Sequence, residues 1–262
     1  MISNLVKAMA IMIFAAGAAF GAHPLMTDDT GTNGKGKFQV ELTGEFSYDA
    51  EKTYGITVKE RGYEAGVSIS AGLLDRLDMV CGLPYQWTKS EGDGVTVADE
   101  DGLSDMGVEL KWRFFEQEGL SFAFKPGVTI PSGDEEKGLG TGKAGYGLTF
   151  IATQEMAPFI FHMNLGYAYN EYKLREDEES SEKNLWRISM AGVYEFSNHF
   201  QVVANMGAEK NPDKESSTEP AFALIGMIYS ITPDLDVDLG FKAGLSSTET
   251  DAAFLTGLTM RF

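Results

Sequence analysis

The chain has 262 residues, is 43% hydrophobic and carries a formal charge of −18, with 39 acidic against 21 basic residues. That balance excludes a nucleic-acid backbone as partner, which demands a basic face. A single cysteine excludes an intrachain disulfide, and the length suits one large domain or two small ones.

Residues 1–21 read as a secretory signal: Lys7 is the positive start, Ala8–Phe20 the apolar stretch and Ala19-Phe20-Gly21 the small-x-small cleavage pattern. The run is too short to span a bilayer as a helix, which takes ~20 residues. No cysteine follows the cleavage point, and no later run approaches ~18 apolar residues. Residues 22–36, AHPLMTDDTGTNGKG, are polar and glycine-rich without a period and read as an N-terminal periplasmic arm. The arm is expected to lie in or beneath the body that follows, or to hang free as a tail.

The body, residues 37–262, opens with KFQVELTGEFSY. Phe38, Val40, Leu42, Gly44, Phe46 and Tyr48 fall on one face of a strand, and Lys37, Gln39, Glu41, Thr43, Glu45 and Ser47 on the other. Ordinary strands average about 5–6 residues, whereas a tilted bilayer-crossing strand needs ~9–11. The two-faced pattern then repeats to the end of the chain. About twelve strands are expected, near 37–48, 62–74, 77–88, 103–115, 120–131, 143–156, 159–172, 184–197, 200–210, 219–231, 235–246 and 253–262. The strand at 219–231 contains AFALIGMIY, apolar on both faces, and period alone does not orient it.

Short joints near Asp75, Gln117, Ala157, Asn198 and Pro233 alternate with long polar joints at about 49–61, 89–102, 132–142, 173–183, 211–218 and 247–252. Aromatic residues cluster at strand ends, as in Tyr85/Trp87, Trp112/Phe114, Tyr167/Tyr169 and Tyr194/Phe196. A soluble sandwich also alternates. The number and length of the strands and the aromatic girdles instead predict an all-β, transmembrane, antiparallel up-and-down β-barrel in the bacterial outer membrane. Short turns then face the periplasm and the acidic loops face outward. The final strand ends on Leu258, Met260 and Phe262, a terminal aromatic pattern similar to the assembly signal of outer-membrane barrels.

The faces opposite the apolar ones supply the candidate lumen-lining residues: Glu41, Glu45, Glu64, Asp78, Glu109, Lys111, Arg113, Lys125, His162, Asn164, Arg187, Asp238 and Lys242. His162 and Asn164 share a face, which invites a Ser-His-Asn reading, but no serine pairs with them by sequence. Three scattered histidines make no metal site. Gly140–Gly145 fits G-x-G-x-x-G, but a period-two strand follows where a helix is needed. Cys81 falls on the lipid-facing set, and the acidic runs at Asp99–Asp101 and Glu176–Glu179 lack calcium-loop spacing. No catalytic, cofactor or metal role is expected.

Residues 23–41, HPLMTDDTGTNGKGKFQVE, with 111–134, KWRFFEQEGLSFAFKPGVTIPSGD, and the aromatic C-terminus resemble a family of outer-membrane transporters named for the meta-pathway of phenol degradation. The resemblance covers essentially the whole mature chain. It implies a porin-like channel or transporter for small molecules, aromatic or otherwise apolar. The partners expected are outer-membrane lipid and lipopolysaccharide, the barrel assembly machinery and a small-molecule solute. A non-conducting structural or adhesive barrel, working through its acidic outer loops, is the alternative.

Overall fold

The computed structural model describes residues 23–53 and 56–262. The expected signal segment, residues 1–21, lies outside them. The strands are β1 Phe38–Thr53, β2 Ile56–Leu74, β3 Leu77–Gly92, β4 Val95–Leu103, β5 Met106–Gln117, β6 Leu120–Ile130 and β7 Gly145–Met156. They continue with β8 Phe159–Tyr169, β9 Asn184–Ser197, β10 Phe200–Glu209, β11 Ala221–Thr232, β12 Leu235–Gly244 and β13 Ala252–Arg261. A helix of six residues, α1 Arg175–Ser180, lies in the loop before β9.

Every pairing is antiparallel, and the sheet closes on itself. The order runs β2-β1-β13 and then down in sequence to β5-β3, with β2 also paired to β3. The seam joins first strand to last, from Gln39↔Arg261 to Tyr48↔Ala252. Closure leaves no strand edge, the condition for a sheet to sit in lipid.

Thirteen strands make twelve staves. β3 pairs with β4 over Tyr85–Gly92 and with β5 over Leu77–Gly82, so β4 and β5 are two pieces of one stave. The break falls at Ser104–Asp105, where the Ser104 N–H donates to the Pro84 carbonyl at 2.9 Å. The Asp105 carboxylate turns away to accept the backbone N–H groups of Gly133 and Thr141, both at 2.9 Å. It thereby anchors the loop that carries the G-x-G-x-x-G run, which leads into β7.

Two expected long joints are corrected. Residues 49–61 and 89–102 are mostly strand: β1 and β2 pair to Thr53↔Ile56, and β3 and β4 to Gly92↔Val95. The second hairpin turns on Asp93 and Gly94, whose φ values of 49° and 82° suit the tight turn an Asp-Gly pair makes. These stretches pair only with one another, beyond the β1–β13 seam. Polar residues occupy both faces there, and the period-two signal is lost.

Outward faces are apolar along every stave. Val67, Ile69, Leu83, Leu110, Phe124, Leu148, Met163, Leu165, Met190, Met206 and Leu239 are all exposed. Aromatic neighbours pack along this surface, Phe114 stacked on Phe124 and Phe124 edge-on to Phe150. Among the described residues no helix is long and apolar enough to cross a membrane; the strands supply the crossing.

β11 is oriented by its burial. Ile225, Met227 and Tyr229 are exposed, while Phe222, Leu224 and Ile228 point inward. The inward three join Leu25, Val203, Ala253 and Leu255 in an apolar cluster inside the barrel. The strand is apolar on both faces because one meets lipid and the other meets the arm.

Candidate functional site: the lumen and its arm

Residues 23–30 run inside the barrel, and 31–36 lie at its short-turn mouth. The arm leaves the head of β1 at the short-turn end, where the Phe38 N–H donates to the Phe262 carbonyl at 3.1 Å and the Gly36 N–H to the Gly72 carbonyl at 2.8 Å. It then crosses the lumen from β3 to β12, touching one stave after another.

Each contact meets a backbone group or short polar side chain of the arm with an inward side chain of the wall. The Asn33 N–H and carboxamide donate to Asp78 at 2.8 and 3.0 Å. Thr30 donates its N–H to Thr153 at 3.2 Å, and its hydroxyl hydrogen-bonds the Ser121 hydroxyl at 2.5 Å. The Asn164 carboxamide accepts from the Asp28 N–H at 2.7 Å and donates to the Asp28 carbonyl at 2.8 Å, as a neighbouring strand would. Thr27 donates to Ser189 at 2.8 Å and accepts from Asn205 at 2.7 Å, while the Met26 N–H donates to Asn205 at 2.6 Å. Buried between arm and wall, these groups satisfy one another.

The charged centre is Asp28. Its carboxylate lies 2.7 Å from the Lys111 ammonium and 2.8 Å from that of Lys125. The Lys125 contact is an ion pair without hydrogen-bond geometry. Lys125 is also 3.1 Å from Glu109. Asp28 and Glu109 are thus linked to Lys111 and Lys125 in one charged cluster. Side chains of Asp28 and Lys125 are 1% exposed and that of Lys111 is 10%. Breaking such a pair on one side strands a buried charge, at a cost of roughly 3–5 kcal/mol.

The far end of the arm is seated by shape. Pro24 lies where a Cβ on Gly226 or Gly240 would sit, at 2.7 and 2.8 Å. Leu25 packs into the apolar cluster. His23 Nδ1 is 2.5 Å from the Asp238 carboxylate.

The remaining candidate residues also lie on the inward face. Glu41 is buried and accepts from Gln39 at 2.6 Å. Glu64 accepts from Gln86 at 2.8 Å. Lys242 sits between Glu249, at 3.2 Å, and Glu45, at 4.0 Å. Arg187 binds Glu209 at 2.7 Å, and Arg113 lies 3.5 Å from Glu116 towards the short-turn end. His162 contacts the Thr153 hydroxyl at 2.9 Å, and Asn164 is committed to the arm. His162 is thus bound to the wall and Asn164 to the arm. Ser121, Thr153, Ser189 and Asn205, which bind the arm, escaped sequence reading; each is a short polar residue at an inward position of a period-two run, a weak signal.

On the long-loop side of the arm lies a chamber of about 180 Å³. Glu109 and Lys125 line it next to the Asp28 cluster, Arg187 and Glu209 line one wall, and Asn211, Pro212 and Thr248–Thr250 contribute from the loops.

A closed, polar-lined barrel crossed by its own N-terminal arm defines the outer-membrane β-barrel class. The family described as "Putative MetA-pathway of phenol degradation" matches residues 27–262, and the chain belongs to it. Among solved structures, the COG4313 outer membrane channel from Pseudomonas putida F1 is similar at a TM-score of 0.70 and 11% identity, covering 89% of this chain and 98% of that one. The translocator domain of the autotransporter NalP from Neisseria meningitidis is similar at 0.58 and 12%, covering 100% and 97%. The NanC porin is similar at 0.56 and 10%, covering 84% and 98%. At these identities the likeness is one of fold. No curated protein matches the chain by sequence.

Proposed function

We propose that the protein is a bacterial outer-membrane channel for small molecules, aromatic or similarly compact, in which the N-terminal arm forms the constriction. The observation that carries this reading is a chamber open towards the long loops, resting on an arm held by the Asp28 cluster. A barrel of about twelve strands is wider than the ~8-strand kind that wall side chains can fill alone. The arm occupies that extra width. Similar folds serve as an outer membrane channel and a porin, which supports passage of solutes, and membership of a family linked to phenol degradation supports aromatic ones.

In this reading residues 1–21 are a cleaved signal, 22–36 the arm and 37–262 the barrel. The two-residue turns face the periplasm, the acidic loops meet lipopolysaccharide outside, and Phe262 addresses the chain to the assembly machinery. The solute path runs along the polar inward set, with Glu109, Lys125 and Arg187 at the chamber and Glu41, Asp78 and Lys111 around the arm. No catalytic step is assigned.

A second reading has one observation in its favour: the arm is buried across the lumen, as a permanent seal would be. Liposome swelling decides between them. Vesicles carrying the full chain should admit solutes the size of benzamide faster than empty vesicles. Equal rates, with the barrel folded, would favour the structural reading.

A further inference from the structure

Two glycines face the chamber from neighbouring strands, Gly147 on β7 and Gly166 on β8. Neither is required by packing. A Cβ on Gly147 would meet only the Tyr167 carbonyl, at 3.7 Å, and one on Gly166 nothing nearer than 3.6 Å. Other inward glycines differ: a Cβ would lie 2.8 Å from Glu109 at Gly127 and 2.7 Å from Phe222 at Gly207. Neither chamber glycine has the positive φ that would demand glycine. A glycine inside a strand weakens it and often marks a place where something approaches the backbone closely. The pair leaves a flat strip of wall with free space in front.

Each charged side chain that lines that space has an ion-pair partner. Arg187 directs Nε and Nη2 at one Glu209 oxygen, both at 2.7 Å. Lys125 faces Asp28 and Glu109, Lys210 faces Glu219 at 3.3 Å, and Glu249 faces Lys242 at 3.2 Å. A solute with net charge would lose hydration here and meet no spare counter-charge. An uncharged solute would find both donors and acceptors. The volume of about 180 Å³ compares with the roughly 150 Å³ that accommodates a benzene ring.

We propose that this chamber is the selectivity site of the channel, taking a small uncharged solute with one flat face. Gly147 and Gly166 set its size, and the Arg187–Glu209 pair sets its indifference to net charge. The proposal rests on the channel reading and extends it to a solute class and four residues.

The test uses three probes of one shape: benzamide, benzoate and benzylammonium. Flux into vesicles is measured for the full chain and for Gly147→Leu, Gly166→Leu, Glu209→Gln and Arg187→Gln, with folding checked by heat-modifiable migration. Binding of benzamide to the detergent-solubilised barrel is titrated in parallel. Benzamide should enter the wild type at least about tenfold faster than either ion, and either leucine should lower benzamide flux and binding several-fold. Glu209→Gln, which frees Arg187, should raise benzoate relative to benzamide, and Arg187→Gln should raise benzylammonium. Should one leucine variant fail to fold, the other and the two charge variants carry the test. Flux that ignores all four substitutions overturns the chamber and leaves the channel standing. Binding weakened by the leucines without any flux overturns the channel and keeps the chamber. Neither binding nor flux overturns both.

Discussion

Replacing Asp28 with asparagine changes almost no volume and removes one charge from the centre of the plug. Lys111 then loses its 2.7 Å partner, and the new amide turns a donor towards either Lys111 or Lys125. Lys125 keeps Glu109 at 3.1 Å. Because the side chains are 1–10% exposed, water screens little of the loss. The expected cost to the seated arm is roughly 3–5 kcal/mol. At about 1.4 kcal/mol per factor of ten, the unseated population should grow roughly 10² to 4 × 10³-fold. In planar bilayers this reads as a rise in the fraction of time spent at high conductance. The double variant Asp28→Asn with Lys111→Met restores charge balance, since Lys125 and Glu109 remain paired, and should recover part of the closed time. The cluster has no such role if Asp28→Asn conducts like the wild type while remaining folded.

Three further outcomes are expected. Gly240→Val places a side chain against Pro24 with no closer wall atom, so it should expel the tip of the arm; in a Cys81→Ala background, a cysteine at the fully buried Thr27 should then react with maleimide many times faster. Val67→Arg, on the exposed apolar face of β2, should cost about 2–4 kcal/mol and reduce folding yield, whereas Val67→Leu should leave it unchanged; urea titration of the reconstituted barrel measures both. Asp105→Ala removes the acceptor for Gly133 and Thr141 and should speed proteolysis of the 131–144 loop while heat-modifiability persists.

The staves were legible because lipid demands an apolar face and the lumen tolerates polar residues, which is a period-two code. Where that contrast failed, the reading failed with it. β11 faces lipid with Ile225 and Met227, and its inward Leu224 and Ile228 belong to the apolar cluster with Leu25. The tall hairpins of β1–β2 and β3–β4 carry polar residues on both faces, which in sequence resembles loop. The arm's polarity was visible, but its pairing was not. Asp28 meets Lys111 across 83 residues, and no local pattern distinguishes it from Asp29 as the acid that the lysines hold. The empty space before Gly147 and Gly166 is likewise a property of the closed barrel, invisible in a chain with 30 glycines.

The central claim is that the arm restricts a lumen otherwise wide enough to conduct. Single-channel recording of the full chain beside a variant lacking Thr27–Gly34 tests it most directly. That deletion removes Asp28, Thr30 and Asn33 with their wall contacts and leaves β1 and its seam with β13 intact. The full chain should show a small, intermittent conductance and the deletion a larger, steady one. Identical conductance from two folded barrels would contradict it.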